Sequence, residues 1–383
     1  MNDRYDAIVI GLGAMGSATF FELARRGARV LGIEQFDPGH DRGSSHGESR
    51  IIRLAYFEHP SYVPLVREAR HRWAEIQRRT QERIFLEIGC VEIGFPGAPL
   101  IRRSLEAARQ HSLDVEEMDA REIRRRFPAF DVPDDWTGHF QSGGGLLIPE
   151  LAIRNFVSEA VRLGGTLMTG TKVKRVDSGA KYPEIDLGSE RVSAESVIVT
   201  AGAWLTELVD VPLPLEISRQ VVGWFEPQVA ASFTPAALPV FLLATPDNAY
   251  YGFPNYNGSG WKAASHLHGR LLERADVKRQ DAGPDDETQI RRMVSDYMPD
   301  GNGPLLKMQT CMYTSTPDGH FLIDRVANAP RIVLASACSG HGFKFAPVIG
   351  EILADMAEGK KPAFPIDGFS TDMSRRLSPV QLF

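Results

Sequence analysis

The sequence predicts an α/β protein: a Rossmann-like βαβ dinucleotide-binding domain interleaved with a second domain built on a mostly antiparallel sheet. Three observations carry this reading. Residues 5–34, YDAIVIGLGAMGSATFFELARRGARVLGIE, run as strand, glycine turn, helix and a second strand that ends in an acidic residue. Residues 197–200 form a buried apolar strand that enters a second close backbone turn at Ala201-Gly202-Ala203-Trp204. Between 217 and about 310, alternating runs such as 220–225 and 250–253 are separated by Pro/Asn/Gly clusters, the pattern of an antiparallel sheet.

Taken in order, 7–10 is a short apolar strand, and 14–26 keeps Met15, Ala18, Phe21, Leu23 and Ala24 at helical spacing until Gly27 stops it. A second helix is expected over 61–78, where Val63, Val66, Ala69, Trp73 and Ile76 recur at threes and fours. Alternation around 84–95 leads into a charged stretch, 100–126, that reads as helical and ends at Phe127-Pro128 and a Pro/Asp-rich turn. Residues 149–163 read as a further helix. Near the end, 321–323 and 332–335 read as strands and 345–356 as a helix that follows a glycine loop. The expected division is 1–85, 150–215 and 318–383 for the nucleotide domain, and 86–149 and 216–317 for the substrate domain.

At 383 residues, with 43% hydrophobic and 24% charged, the chain can bury two ordinary cores, since domains typically run to ~100–200 residues. A net charge of -6 offers no general attraction to nucleic acid or to anionic membranes. No stretch approaches the ~20 apolar residues of a membrane span. Three scattered cysteines, Cys90, Cys311 and Cys338, make no disulfide framework. The N-terminus enters a strand with no signal-like prelude, and the closing SPVQLF is no peroxisomal tag. The expectation is a cytoplasmic protein.

Five stretches carry chemistry. In Gly11-x-Gly13-x-x-Gly16, Gly11 permits the tight turn, Gly13 lets backbone amides approach a pyrophosphate and Gly16 lets the helix pack on the strand. Glu34, 18 residues after Gly16, can accept from an adenosine ribose and disfavours a 2'-phosphate. The motif therefore points to FAD or NAD and does not separate them. Next, 43–53, GSSHGESRIIR, is a small-residue loop containing Ser44 that can approach a large cofactor; Arg50 and Arg53 follow. The arginine fork suits carboxylates, which makes Arg53 a candidate substrate anchor. Two solvated arginines at a helix start fit the same residues.

The third stretch is YYGFP at 250–254 with Lys262 and His266. Among Gly260, Trp261, Ala263 and Ala264, an inward lysine would be desolvated and its charge unusually effective; an outward one would snorkel to solvent. In a flavin oxidase an inward cation stabilises negative charge as oxygen accepts an electron. The fourth is Cys311, in CMYT, which by itself could be a buried packing cysteine. The fifth is SGHGFKF at 339–345, whose amides at the entry of the last helix could face the electron-rich edge of a reduced flavin. As a purely structural turn it would leave Lys344 without a role.

Together, HGESRIIR, YYGFP with Lys262 and His266, CMYT followed by DGHFLID at 318–324, and SGHGFKF resemble the monomeric sarcosine oxidase family over essentially the whole chain. That family includes N-methyltryptophan oxidase and lies within the D-amino acid oxidase superfamily of FAD-dependent amine oxidoreductases. The resemblance implies FAD held by Gly11, Gly13, Gly16, Glu34, Ser44, Gly340, Gly342, Phe343 and Lys344, and tethered through a Cys311 thioether. It implies that His46 and Arg50 lie by the flavin, that Lys262 activates oxygen, and that Tyr251 and His266 line the substrate pocket. Arg53 and Lys344 would clamp the substrate carboxylate. The implied reaction is oxidation of an N-methyl or secondary α-amino acid to an imine, with oxygen reduced to hydrogen peroxide, by a monomer that needs no metal.

The chain departs from the family pattern at Ser45, Glu48 and Trp261, which leaves open a bulkier N-methyl amino acid or a cyclic imino acid such as proline or pipecolate. From other classes, an NAD-linked dehydrogenase fits only the first motif. A non-catalytic flavin sensor would bind the cofactor without turnover.

Overall fold

The computed structural model describes residues 4–179, 181–266, 269–276 and 281–380. Its first sheet grows from the strand Tyr5–Ile10, a run of apolar residues that is buried on both faces beyond its first two positions. Such strands suit parallel sheets covered on both sides. Tyr5–Ile10 pairs in parallel with Val30–Ile33 on one side and with Arg191–Val199 on the other. Thr166–Met168 and Ala329–Ser336 extend the parallel array outward on the two sides. Strand order reverses at Tyr5–Ile10, so a crevice opens beyond Ile10, where open α/β sheets bind their ligands.

The helix Ala14–Arg25 lies against Pro149–Arg162 and Ala346–Ala357. Close approach requires glycine at two points. A Cβ on Gly16 would stand 1.8 Å from the Gly11 carbonyl oxygen, and one on Gly350 would stand 2.7 Å from the Ala18 carbonyl carbon. The helix expected over 61–78 spans Tyr62–Thr80 and buries Val63, Val66, Ala69, Trp73 and Ile76 as its periodicity requires.

The second sheet has nine strands. Its neighbours are antiparallel except for Cys90–Gly94 beside Val240–Ala244. The stretch 100–126, expected to be one helical region, is broken: Pro99–Gln110 is a helix, Glu116–Asp119 a strand, and Ala120–Arg126 a second helix. Pairing of Glu116–Asp119 with Thr137–Gln141 wins over local propensity, and the Asp119 side chain then accepts the Glu122 N–H as the cap of the next helix. A helix the sequence reading did not anticipate, Pro284–Tyr297, covers this sheet with Ile290, Met293 and Val294.

A three-stranded sheet, Arg50–Ile52 with Gly145–Leu147 and Phe85–Leu86, joins these parts. It makes Arg50–Ile52 a strand, with Arg53 just past its end, rather than a helix start. Among the described residues no helix is long and apolar enough to cross a membrane.

Candidate active site

One cavity runs from the glycine turn to the second sheet. It is lined by Gly11, Gly13, Glu34, Ser44, His46, Arg50, Arg53, Tyr251, His266, Cys311, Gly340, Gly342, Phe343 and Lys344. Two expected site residues stand behind this lining: Gly16, which is spent on helix packing, and Lys262.

At the nucleotide end, Gly11 holds φ +85°, and a Cβ there would lie 2.8 Å from the Ala201 Cα. At Gly13, by contrast, a Cβ would meet only the Ser45 Oγ at 3.9 Å, so the turn is open toward the cavity. The helix that starts at Ala14 has no side-chain cap, which leaves its first amides for a bound anion. The Glu34 carboxylate accepts the Leu12 N–H at 2.8 Å and the Phe36 N–H at 3.1 Å, and burial raises its pKa. An uncapped helix N-terminus, an open glycine and an acidic strand end fit the pyrophosphate and ribose of a dinucleotide.

In the middle of the cavity, Cys311 sits on the strand Leu305–Ser315. Its Sγ is 3.6 Å from the Ser44 carbonyl oxygen and 3.8 Å from an Arg50 Nη. Arg50 donates to the carbonyls of Ser49 at 2.9 Å and Ser44 at 2.8 Å. Lys262 is one layer deeper. Its ammonium donates to the carbonyls of Gly47 at 2.7 Å and Ser49 at 3.0 Å, 4.3 Å from the Phe253 ring centre. Burial, with the Arg50 charge beside it, pulls the Lys262 pKa well below the ordinary lysine value. His266 is half-buried, with its ring 6.2 Å from that of Tyr251 and 6.0 Å from that of Tyr313; His46 is buried.

At the far end, Arg53 already has internal partners. One Nη donates to both oxygens of Glu58, at 2.7 and 2.6 Å, and the other to the Ala55 carbonyl at 2.7 Å. A second carboxylate, Glu92, lies 3.8 Å away, and the guanidinium stacks on Tyr56 and Phe57. Lys344 donates to the His341 carbonyl at 2.7 Å and to the Tyr56 hydroxyl at 3.4 Å, with its ammonium 5.3 Å from the Tyr56 ring centre. Burial, then repulsion from Arg53, lowers Lys344 to about 7. Burial pushes Glu58 up, but the charges of Arg53, His341 and Lys344 override it and hold the carboxyl at about 2. The Arg53 and Lys344 cations thus both approach the Tyr56 ring, and Arg53 is latched to an ionised carboxylate.

The model of the DAO family, FAD dependent oxidoreductase, matches residues 6–356. The chain belongs to this family. FAD is therefore the dinucleotide, which separates it from the NAD that the glycine motif also allowed, and the protein is an oxidoreductase rather than a passive flavin sensor. The oxidoreductase is 38% identical over 385 residues to a monomeric sarcosine oxidase of Streptomyces avermitilis, covering 99% of each chain. It is 36% identical to that of Bacillus sp. strain B-0618 over 97% of this chain and 96% of that protein. An N-methyl-L-tryptophan oxidase of Yersinia pestis is 34% identical, over 96% and 98%. Among solved structures, NikD, an unusual amino acid oxidase essential for nikkomycin biosynthesis, superposes with a TM-score of 0.84 at 22% identity, over 99% and 98% of the chains. The fold is that of FAD-dependent amino acid oxidases.

Sequence reading missed several residues of the oxidoreductase site: Glu58, Tyr56, His341 and, behind them, Glu92. Two carried a signal. Glu58 is an acid in the otherwise apolar and aromatic run LAYFEHP, and Glu92 is an acid inside the buried strand Cys90–Gly94. Charged residues in such settings are buried only when paired.

Proposed function

We propose that this FAD-dependent oxidoreductase oxidises N-methyl or other secondary α-amino acids at the carbon beside nitrogen. The observation that carries the reading is the position of the Arg53–Lys344 pair in the same cavity as Arg50 and Cys311: an anion anchor beside the place where the resemblance puts the flavin ring. Bound FAD supplies the acceptor for a hydride equivalent and passes the electrons to oxygen, giving hydrogen peroxide. Arg53 and Lys344 hold the substrate carboxylate, which takes the place of Glu58 on the arginine. This fixes the reacting carbon and removes the entropy cost of orienting it during the reaction. The substrate amine binds neutral, so that its lone pair is free to form the imine. Water then hydrolyses the imine; an N-methyl substrate yields formaldehyde and the demethylated amino acid. Tyr251 and His266 border the substrate's side chain, and His46 and Arg50 stand at the flavin edge.

We further propose that the Cys311 sulfur carries the flavin as a thioether. Its place on the wall of the same cavity, with the sulfur 3.8 Å from the Arg50 guanidinium and 3.6 Å from the Ser44 carbonyl, supports this. The relatives' name, monomeric sarcosine oxidase, supports a monomer. Three unpaired cysteines fit the reducing cytoplasm. The division of the chain into 1–85, 150–215 and 318–383 around the cofactor, and 86–149 and 216–317 around the substrate, follows the two large sheets.

The apolar wall beside Arg53, formed by Ile51, Phe57, Leu100, Leu242 and Phe253, accommodates an aliphatic substituent or a ring, so cyclic imino acids belong in the screen. The test is peroxide release from sarcosine, bulkier N-methyl amino acids, proline and pipecolate. Turnover of at least one of them is expected; turnover of primary amino acids alone would refute the reading. Acid precipitation should leave the yellow colour in the pellet for wild type and release it in Cys311→Ala.

A further inference from the structure

The 47–49 turn, whose carbonyls hold the Lys262 ammonium, does not sit there by local preference. Glu48 adopts φ +68°, a left-handed conformation that is costly for a residue with a side chain. The turn is held from outside. Both amides at its apex, Gly47 N–H and Glu48 N–H, donate to one oxygen of Glu150, at 2.7 and 3.0 Å. The Glu48 side chain pairs with Lys307 and accepts from Asn257, and the Glu48 carbonyl accepts the Tyr256 hydroxyl at 2.8 Å.

Sheet register explains how a residue about a hundred positions away reaches the turn. Arg50 pairs with Leu147, so Gly47, three residues before Arg50, faces Glu150, three residues after Leu147. With the two amides drawn toward Glu150, the carbonyls of Gly47 and Ser49 turn the other way and receive the Lys262 ammonium. Arg50 also donates to the Ser49 carbonyl, so two cations share one acceptor and repel each other. Glu150 is the nearby carboxylate that offsets both, and its charge favours the protonated form of Lys262 and of Arg50.

We propose that Glu150 is a positioning residue for the oxygen-reducing half of the reaction: it sets the 47–49 turn so that the turn's carbonyls seat the Lys262 ammonium just behind the wall of the flavin cavity. This rests on the reading of Lys262 as the oxygen-activating cation. Glu150 is not among the residues that line the cavity.

The test separates the half-reactions in purified holoenzyme. Wild type, Glu150→Gln, Glu150→Ala and Lys262→Met are reduced anaerobically, with dithionite in one series and with an active N-methyl amino acid in the other. Reduced enzyme is then mixed with oxygenated buffer and flavin absorbance is followed. Hydrogen exchange of the peptides that carry the 47 and 48 amides is measured in parallel on each protein.

Glu150→Ala should exchange faster at 47–48 and reoxidise about tenfold more slowly, because two buried amides lose their acceptor and Lys262 loses its seat. Glu150→Gln keeps an acceptor oxygen but no charge; it should hold wild-type protection and slow reoxidation about threefold. In both, reduction by the amino acid should stay within about twofold of wild type. If both Glu150 variants reoxidise at the wild-type rate while Lys262→Met is slow, the positioning role of Glu150 is wrong and the reading of Lys262 stands. If Lys262→Met itself reoxidises normally, the reading of Lys262 falls and the inference falls with it. Equal slowing of both half-reactions in the Glu150 variants would mark Glu150 as a merely structural residue.

Discussion

The two ends of the cavity are built in opposite ways. The nucleotide end is backbone: a glycine turn, an uncapped helix start and one carboxylate, contributed within 30 consecutive residues from Tyr5 to Glu34. The clamp end is side chains: Arg53, Glu58, Glu92, His341 and Lys344 converge from segments nearly 300 residues apart, and the arginine is already paired with Glu58. The first binds by leaving donors free. In the proposed reading the arginine of the second is paired before substrate arrives, so binding there would exchange one carboxylate for another, with selectivity set by how readily Glu58 gives way. A pre-paired buried arginine can afford its burial, whereas an unpaired one would be strongly destabilising.

This contrast can be broken most forcibly at Arg53. Arg53→Leu should lower kcat/KM by on the order of a hundredfold or more, because it removes the anchor and leaves Glu58 buried without its partner. Bound flavin per chain should be unchanged. Loss of flavin as well would mean that the two ends are not separable.

At the nucleotide end the corresponding change is Gly16→Ala. Its Cβ would have to displace the Gly11 carbonyl from 1.8 Å, which should cost about 1–3 kcal/mol of stability and leave much of the protein without cofactor. Thermal denaturation and flavin absorbance per chain would report this. Full occupancy with unchanged stability would show that the turn has more slack than its geometry indicates.

Glu58→Gln sharpens the exchange idea. With the competing carboxylate neutralised, substrate should bind severalfold more tightly, so KM falls while kcat changes less. A raised KM would instead mean that Glu58 orients Arg53 for substrate.

The smallest effect is expected with pH. The Lys344 pKa is lowered to about 7, so the ammonium is present below that pH and lost above it. Its share of carboxylate binding should therefore decline by a few-fold as pH rises through about 7, superimposed on the gain from amine deprotonation. A pH series of kcat/KM should show this declining limb in wild type and not in Lys344→Met.

How much could be read from the chain follows the same division. The helix Ala14–Arg25 and its glycines were legible because the constraint is local: a period, a turn and a strand end. Arg53 and Lys344 were visible as residues, but their roles came from a resemblance, since no local pattern brings residue 53 to residue 344. The latch of Arg53 to Glu58, five residues on, left only the trace of an acid in an apolar run, and the approach of Glu92 depends on how the second sheet is placed against that loop. For Lys262 the sequence left an inward and a snorkelling orientation open; the side chain is inward and buried, behind the cavity wall, seated on carbonyls of a turn that the sequence showed only as a small-residue loop.

The most direct test of the central claim, a carboxylate clamp at the substrate end, is to compare an active N-methyl amino acid with its primary carboxamide by peroxide release. The carboxylate should be preferred by about a hundredfold or more in kcat/KM, and the preference should collapse in Arg53→Leu, since the arginine's strongest gain is with an ionised partner. Equal turnover of the two by wild-type enzyme would contradict the clamp and with it the assignment of an amino acid substrate.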